Sequence, residues 1–153
     1  MAKNNVSRSL FEFNNIFKKG DNIYREFARF FGLSECTLWI LYCLRAEYSE
    51  MTQSGLCGSL CLPKQTINSA LKKLETEGYI ELSRSDGNRR SKEITLTAEG
   101  ERLCEDTVDR LIEVENITLK SLPEAELEIF LKLFRKHTAL LKNNVKELIW
   151  EKK

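Results

Sequence analysis

Residues 51–100 read MTQSGLCGSLCLPKQTINSALKKLETEGYIELSRSDGNRRSKEITLTAEG, and this stretch decides the fold. A short helical segment, MTQSGLCGSL, is followed by a tight connection, CLP, and by a second helical segment, KQTINSALKKLETEG. Two stretches in which apolar and polar residues alternate come next, YIELSRS and SKEITLT, and the turn-forming, basic DGNRR separates them. This order predicts helix, turn, helix and a two-stranded hairpin, which we call the wing.

The second helical segment has one apolar and one polar face. Its apolar residues recur at i, i+3, i+4 and i+7, which predicts a buried face: Ile67, Ala70, Leu71 and Leu74. The polar face holds donors and acceptors without a carboxylate until Glu75, and such side chains can bond base edges in the major groove of DNA. An ordinary amphipathic helix with a solvated polar face is the alternative interpretation. The predicted major-groove residues are Lys64, Gln65, Thr66, Asn68, Ser69 and Lys72.

The wing supplies a second set of candidate DNA contacts. A two-stranded ribbon with arginines at its tip fits the electronegative minor groove and the phosphates beside it. The alternative is a solvated hairpin whose charges only keep a sheet edge soluble. The predicted wing contacts are Arg84, Asn88, Arg89, Arg90 and Lys92.

Charge is concentrated in the same region. The 153-residue chain has a formal net charge of only +1. Residues 63–92 hold seven Lys or Arg and four Asp or Glu, a net +3. Positive charge is therefore focused on the predicted DNA-binding face. The excess is small, which favours a dimer that combines two half-sites.

Motifs spread through most of the chain are typical of one family of bacterial regulators. They are Leu33-Ser34 with Trp39, Ile40 and Leu41, Met51-Thr52-Gln53 with Leu56, Gln65-Thr66-Ile67, Leu74-Glu75-x-x-Gly78-Tyr79-Ile80, Asn88-Arg89-Arg90-x-Lys92, and Leu96-Thr97-x-x-Gly100. With these motifs the chain resembles the MarR family of transcription regulators, from about Asn15 to the last helix. The resemblance implies a winged helix-turn-helix fold, mainly α with a small β-wing (α+β), and a two-fold dimer bound to double-stranded DNA.

Two departures from the family pattern stand out. Asn88 occupies a position where many members carry an Asp that braces the wing arginine two residues on. A brace between Asn88 and Arg90 would be a neutral hydrogen bond, which is weaker than a charge-assisted one. Cys61 lies where the family often has a turn glycine.

The rest of the chain predicts a helical dimerisation region built from both termini. We expect one domain over residues 1–153, with a DNA-binding lobe at about 34–100 and dimerisation helices at about 7–31 and 98–150. The terminal helices are too apolar to be free arms, and packing against a second copy would bury them. A monomer whose last helix folds back on its own core is the alternative.

Regulation of DNA binding is predicted in two competing forms. The resemblance implies a ligand pocket between the dimer helices and the DNA-binding lobe, and a small aromatic effector would suit aromatic side chains there. Core packing is the favoured alternative for any one of the candidate pocket residues, which are Phe17, Tyr24, Phe27, Trp39 and Tyr42. The second form is thiol-based redox sensing by Cys57 and Cys61, which lie four residues apart at the motif turn.

Several classes of protein are excluded by the sequence. No apolar run approaches the roughly 20 residues of a membrane span, and the N-terminus lacks the features of a secretory signal. We expect a cytoplasmic protein without a membrane partner, in which the five cysteines are reduced. His137 is the single histidine and no metal-binding spacing or catalytic constellation occurs, so we expect no metal, no cofactor and no enzyme activity.

The sequence therefore predicts a sequence-specific transcription regulator, a ligand-responsive repressor that binds an inverted-repeat operator as a homodimer. Besides the thiol-based regulator, one alternative from another class is a winged-helix module that binds proteins and never contacts DNA.

Overall fold

The computed structural model describes residues 7–46, 51–84 and 92–150. Helices predominate in these ranges, and three short strands form one antiparallel sheet. This confirms the predicted fold class. In chain order the elements are α1 (Arg8–Phe30), α2 (Glu35–Ala46), β1 (Met51–Thr52), α3 (Gln53–Leu60), α4 (Lys64–Thr76), β2 (Ile80–Arg84), β3 (Lys92–Leu96), α5 (Ala98–Asp106), α6 (Val108–Lys120) and α7 (Glu124–Trp150).

The core that positions the DNA-binding elements lies among α2, α3 and α4. Helices α2 and α4 each bury several aliphatic side chains and α3 buries Leu56, and burying such a side chain stabilises the fold by about 1.5–3 kcal/mol. On α4 the predicted face is buried, except that Ala70 is only half-buried. The buried residues of the three helices include Leu38, Ile40, Leu41, Leu56, Ile67, Leu71 and Leu74.

The sheet contains a strand that the sequence did not predict. Met51 and Thr52 form β1, which pairs with β3 so that Met51 lies opposite Ile94. The prediction that a helix begins at Met51 was wrong, because Met51 is buried in the sheet and α3 begins at Gln53. Thr52 is the N-cap of α3, and its hydroxyl accepts a hydrogen bond from the backbone N–H of Gly55 at 3.1 Å. A two-residue strand is too short to show a period in the sequence.

An ion-pair cluster ties α2 to α5 and to the first turn of α6. The guanidinium of Arg45 donates through Nε and Nη2 to the two carboxylate oxygens of Asp109, each at 2.7 Å. It also donates to Glu101. A bidentate arginine–carboxylate pair is directional as well as strong. The hydrogen bonds to Asp109 raise the pKa of Arg45 above its usual value.

The chain divides into two compact units, residues 1–110 and residues 111–153. The second unit holds the rest of α6, a turn at Pro123 and the whole of α7. The Pro123 carbonyl accepts from the N–H groups of Glu126 and Leu127 at 2.9 and 3.0 Å, which starts α7. None of the residues of α7 is buried. The single domain over residues 1–153 stays a prediction.

No single helix of the described residues is both long and apolar enough to cross a bilayer, and only α1 and α2 taken together reach that length and composition, across a bend of 91°.

The Leu-Thr-x-x-Gly motif makes a close contact between α5 and the segment before β2. The Thr97 hydroxyl caps α5 by accepting from the N–H of Gly100 at 3.1 Å, and it donates to the Gly78 carbonyl at 2.6 Å. The Thr97 N–H donates to the Tyr79 carbonyl at 3.1 Å. A Cβ added at Gly100 would lie 2.0 Å from that same Tyr79 oxygen. Only glycine allows this approach of two backbones.

We expect Gly100→Ala to lower the free energy of unfolding by about 2 kcal/mol or more, because the new methyl group must displace backbone rather than a flexible side chain. Urea denaturation of the wild type and the variant measures this loss. The matched control is Gly58→Ala on α3, where a Cβ meets nothing within 4 Å. That substitution should be neutral or stabilising by up to about 1 kcal/mol. Equal stabilities of the two variants would show that the contact at Gly100 is not tight.

Candidate nucleic-acid interface

The outward face of α4 carries all six predicted major-groove residues. Ile67, Leu71 and Leu74 are buried on the opposite side, so their packing determines which way the polar face points. At 100° per residue, five of the six residues form a stripe along the helix, and Thr66 lies at its edge. All six are exposed: Lys64, Gln65, Thr66, Asn68, Ser69 and Lys72.

Two side chains of this face already have hydrogen-bond partners. The Ser69 hydroxyl donates to the Gln65 carbonyl one turn earlier at 2.9 Å. The Asn68 Oδ1 accepts a hydrogen bond from Nε2 of Gln53, the first residue of α3. Sequence reasoning missed Gln53, although its position at the start of the first motif helix is a signal that could have found it.

The turn between α3 and α4 is formed by a residue with positive φ. Cys61 adopts the left-handed conformation with φ of 51°, and no other non-glycine residue of the described ranges has a positive φ. Its thiol donates to the Gly58 carbonyl at 3.5 Å. Left-handed backbone costs a residue with a Cβ about 1–2 kcal/mol. This explains why a glycine suits this position.

The base of the wing is described, and its tip is not. Ile80 and Ile94 are buried and anchor strands β2 and β3 on the core. Lys92 is exposed at the start of β3 and pairs with the backbone of Arg84 at the end of β2. The predicted wing contacts Asn88, Arg89 and Arg90 lie outside the described residues, so their role stays a prediction.

Three of the five candidate pocket residues form one aromatic cluster. The ring centroids of Tyr24 and Trp39 are 5.0 Å apart, and those of Trp39 and Tyr42 are 5.4 Å apart, which joins α1 to α2. All three are half-buried. The other two candidates lie against neighbours on their own helix or just beyond it.

Phe27 packs on Phe31 with centroids 4.9 Å apart, and Phe17 is 58% exposed with its ring 6.3 Å from that of Phe13. A cavity of about 210 Å³ lies elsewhere in the same unit, between the α1–α2 turn, the end of α4 and α5. Its lining includes Thr37, Lys73 and Tyr79. A ligand site at the five predicted aromatic residues stays a prediction.

The five cysteines differ in exposure. None of the five, all of which lie in the described ranges, forms a disulfide; Cys61 is exposed and Cys57 is half-buried. Cys104 is fully buried, and burial raises its pKa to about 11. Burial also raises the pKa of Cys36. Among the described residues, no cluster of three or more His, Cys, Asp or Glu side chains could hold a metal ion.

Comparison with known proteins identifies the family. Residues 33–92 match the sequence profile of the MarR family. A helix-turn-helix transcriptional regulator of Bacillus subtilis, YwoH, is 30% identical over 105 residues, which are 69% of this chain and 75% of YwoH. This chain belongs to the MarR family.

Solved structures show that this MarR-family protein has the winged-helix fold. S. aureus MepR in its DNA-binding conformation superposes with a TM-score of 0.74 at 21% identity, covering 88% of this chain and 99% of MepR. The S. aureus MepR–DNA complex gives 0.69 at 23% identity, covering 88% and 98%. A MarR protein from Peptoclostridium difficile gives 0.69 at 19% identity and covers 94% of each chain.

We expect Cys61 to react fastest with a thiol reagent at pH 8 and Cys104 slowest in this MarR-family protein. A pKa near 11 leaves about one Cys104 thiol in a thousand deprotonated at pH 8, and the thiolate is the reactive form. Mass spectrometry of the folded protein after brief alkylation measures the order, and urea-unfolded protein is the control in which the rates converge. Equally fast labelling of Cys104 and Cys61 in the folded protein would contradict the burial of Cys104.

Proposed function

We propose that this MarR-family regulator is a sequence-specific DNA-binding repressor that acts as a homodimer on an inverted-repeat operator. The observation that carries the proposal is the exposed polar stripe of α4, which packing on α2 and α3 turns away from the core. A solved structure with the same fold is that of S. aureus MepR bound to DNA. Helix-turn-helix proteins place the corresponding helix in the major groove.

The chemistry of α4 supports both base readout and phosphate binding. Gln65 and Asn68 carry amides that can pair with base edges, and Lys64 and Lys72 extend the stripe toward guanine or phosphate. Pro63 caps the helix without a side-chain hydrogen bond, so the first backbone N–H groups of α4 remain as donors for a phosphate. Lys92 adds an exposed cation at the base of the wing.

The apolar surface of the terminal helices supports the homodimer. On α7, Phe130 and Phe134 are 51% and 47% exposed and stack on each other with centroids 6.0 Å apart. On α1, Phe11 and Ile16 are 63% and 65% exposed. Apolar faces of this extent on a single chain mark an interface, and a second copy of the chain supplies matching faces.

Repression and effector control complete the proposal. A dimer on a promoter represses by occluding polymerase. An aromatic effector at the Tyr24–Trp39–Tyr42 cluster would release the operator by binding the DNA-incompetent state more tightly. Because chromosomal DNA lies in the bacterial cytoplasm, we place the protein there. The proposed activity is binding, with no catalysed reaction.

Selection of bound duplexes from a random DNA pool should enrich an inverted repeat with half-sites about 10 base pairs apart, one helical turn. With the selected duplex, Lys72→Ala should weaken binding at every sequence and reduce the slope of log K against log salt by about 1. The control is Lys18→Ala, which removes the same charge from an exposed residue of α1 and should leave the affinity and the salt slope unchanged. No enrichment by the reduced, folded wild type would favour the protein-binding module instead.

The same operator tests redox control. If a small-molecule effector controls DNA binding, peroxide should not change the operator affinity of the wild type. A Cys57→Ser/Cys61→Ser variant should behave in the same way. A peroxide-dependent loss that this double variant abolishes would favour thiol-based regulation.

We expect the wild type to sediment as a dimer. Phe134→Glu should raise the dissociation constant of that dimer at least about tenfold, because a charge that is buried in the interface without a partner costs several kcal/mol. Sedimentation velocity over a dilution series measures the dissociation constant. Lys132→Glu, which places the same side chain on another side of α7, should leave the dimer intact. A wild type that sediments as a monomer at every concentration would contradict the proposal.

A further inference from the structure

We propose that Gln53 is a positioning residue that orients the side-chain amide of Asn68 and thereby sets which bases Asn68 accepts. The inference rests on the proposed DNA binding and names a specificity determinant outside the helix that contacts the bases. It is carried by the hydrogen bond from Gln53 Nε2 to Asn68 Oδ1, which joins two residues 15 positions apart in the chain.

The backbone of Gln53 is held from two directions. On its N-terminal side, Met51 and Thr52 pair with Ile94 and Glu93 of β3, so Gln53 leaves the sheet at a defined point. On its C-terminal side it is the first residue of α3, whose N-terminus is closed by the Thr52–Gly55 hydrogen bond. Gln53 itself is half-buried. Its amide therefore approaches α4 from a fixed position rather than from a mobile loop.

Asn68 is equally well placed but chemically ambiguous. It follows the buried Ile67 and lies in the second turn of α4, within the exposed stripe. A free asparagine amide can turn over, and it then presents either an acceptor or two donors to the same point. Bases in the major groove are distinguished by that difference, since guanine shows the acceptors N7 and O6 whereas cytosine shows the donor N4. An unfixed Asn68 would therefore discriminate poorly.

The contact with Gln53 couples the orientations of the two amides, and in the structure Gln53 is the donor. With Gln53 as the donor, the Asn68 oxygen faces α3 and its Nδ2 group is the one left for the groove. A glutamine amide can also accept, so this orientation is part of the inference that the Gln53→Lys and Gln53→Glu variants test. Asn68 then selects a base with acceptors on its major-groove edge, guanine foremost. A residue at position 53 that only accepts would reverse the amide of Asn68 and favour a base that shows a donor.

The experiment runs the duplex selection in parallel for the wild type, Asn68→Ala, Gln53→Leu, Gln53→Lys and Gln53→Glu, followed by competition binding. Asn68→Ala identifies the base pair that Asn68 reads, as the one position whose preference relaxes. At that position the wild type should prefer guanine over cytosine by about tenfold or more. Gln53→Leu should reduce the preference to about threefold or less, while the other positions, the salt slope and the melting temperature stay as in the wild type.

The two polar variants separate positioning from packing. Gln53→Lys restores a donor and should restore the preference for guanine, whereas Gln53→Glu should shift it toward cytosine. An unchanged preference in Gln53→Leu would overturn the inference while leaving the proposed function intact. Loss of preference at all positions together with a lower melting temperature, or an Asn68→Ala variant that relaxes no position, would also overturn it. A wild type that enriches no sequence would overturn the proposed function and this inference with it.

Discussion

Burial of one face of α4 is the constraint on which the rest of the interface depends. Ile67, Leu71 and Leu74 are at most 2% exposed, and a helix anchored by three such side chains cannot rotate about its axis without exposing them. This burial decides that Asn68 and Lys72 lie on the outward side of the helix. Base readout requires side chains held to within a fraction of an ångström, and a packed helix provides that more reliably than a loop.

The central strand of the small sheet connects the parts that surround α4. Strand β3 lies between β1 and β2, so it contacts both the segment that begins α3 and the strand that enters the wing. Immediately after β3, Thr97 bonds to Gly78 and Tyr79, and Gly100 allows α5 to approach that backbone. The sheet therefore fixes the positions of α3, the wing and α5 relative to one another. Strand β1 has only two residues, but it is the part of the sheet that positions the start of α3.

The spacing of apolar residues predicted the helices and strands that bury one regular face. It missed the features that depend on only one or two residues. The apolar spacing in α4 and the alternation in β2 and β3 were enough to locate these elements and the outward residues of α4. The strand at Met51 and the break between α5 and α6 at Thr107 left no period. At Thr107 the hydroxyl bonds to the Leu103 carbonyl at 2.6 Å with φ of −125°, a local geometry that composition does not encode.

The sequence by itself determined the family, the order of helix, turn, helix and wing, and the polar stripe of α4, because each depends on the types and spacing of neighbouring residues. Only the tertiary structure brought together residues far apart in the chain. Arg45 meets Asp109 across 64 positions, and Gln53 meets Asn68 across 15. Such contacts depend on how the elements pack in three dimensions. The order of residues along the chain does not tell which residues far apart in sequence lie close together in space.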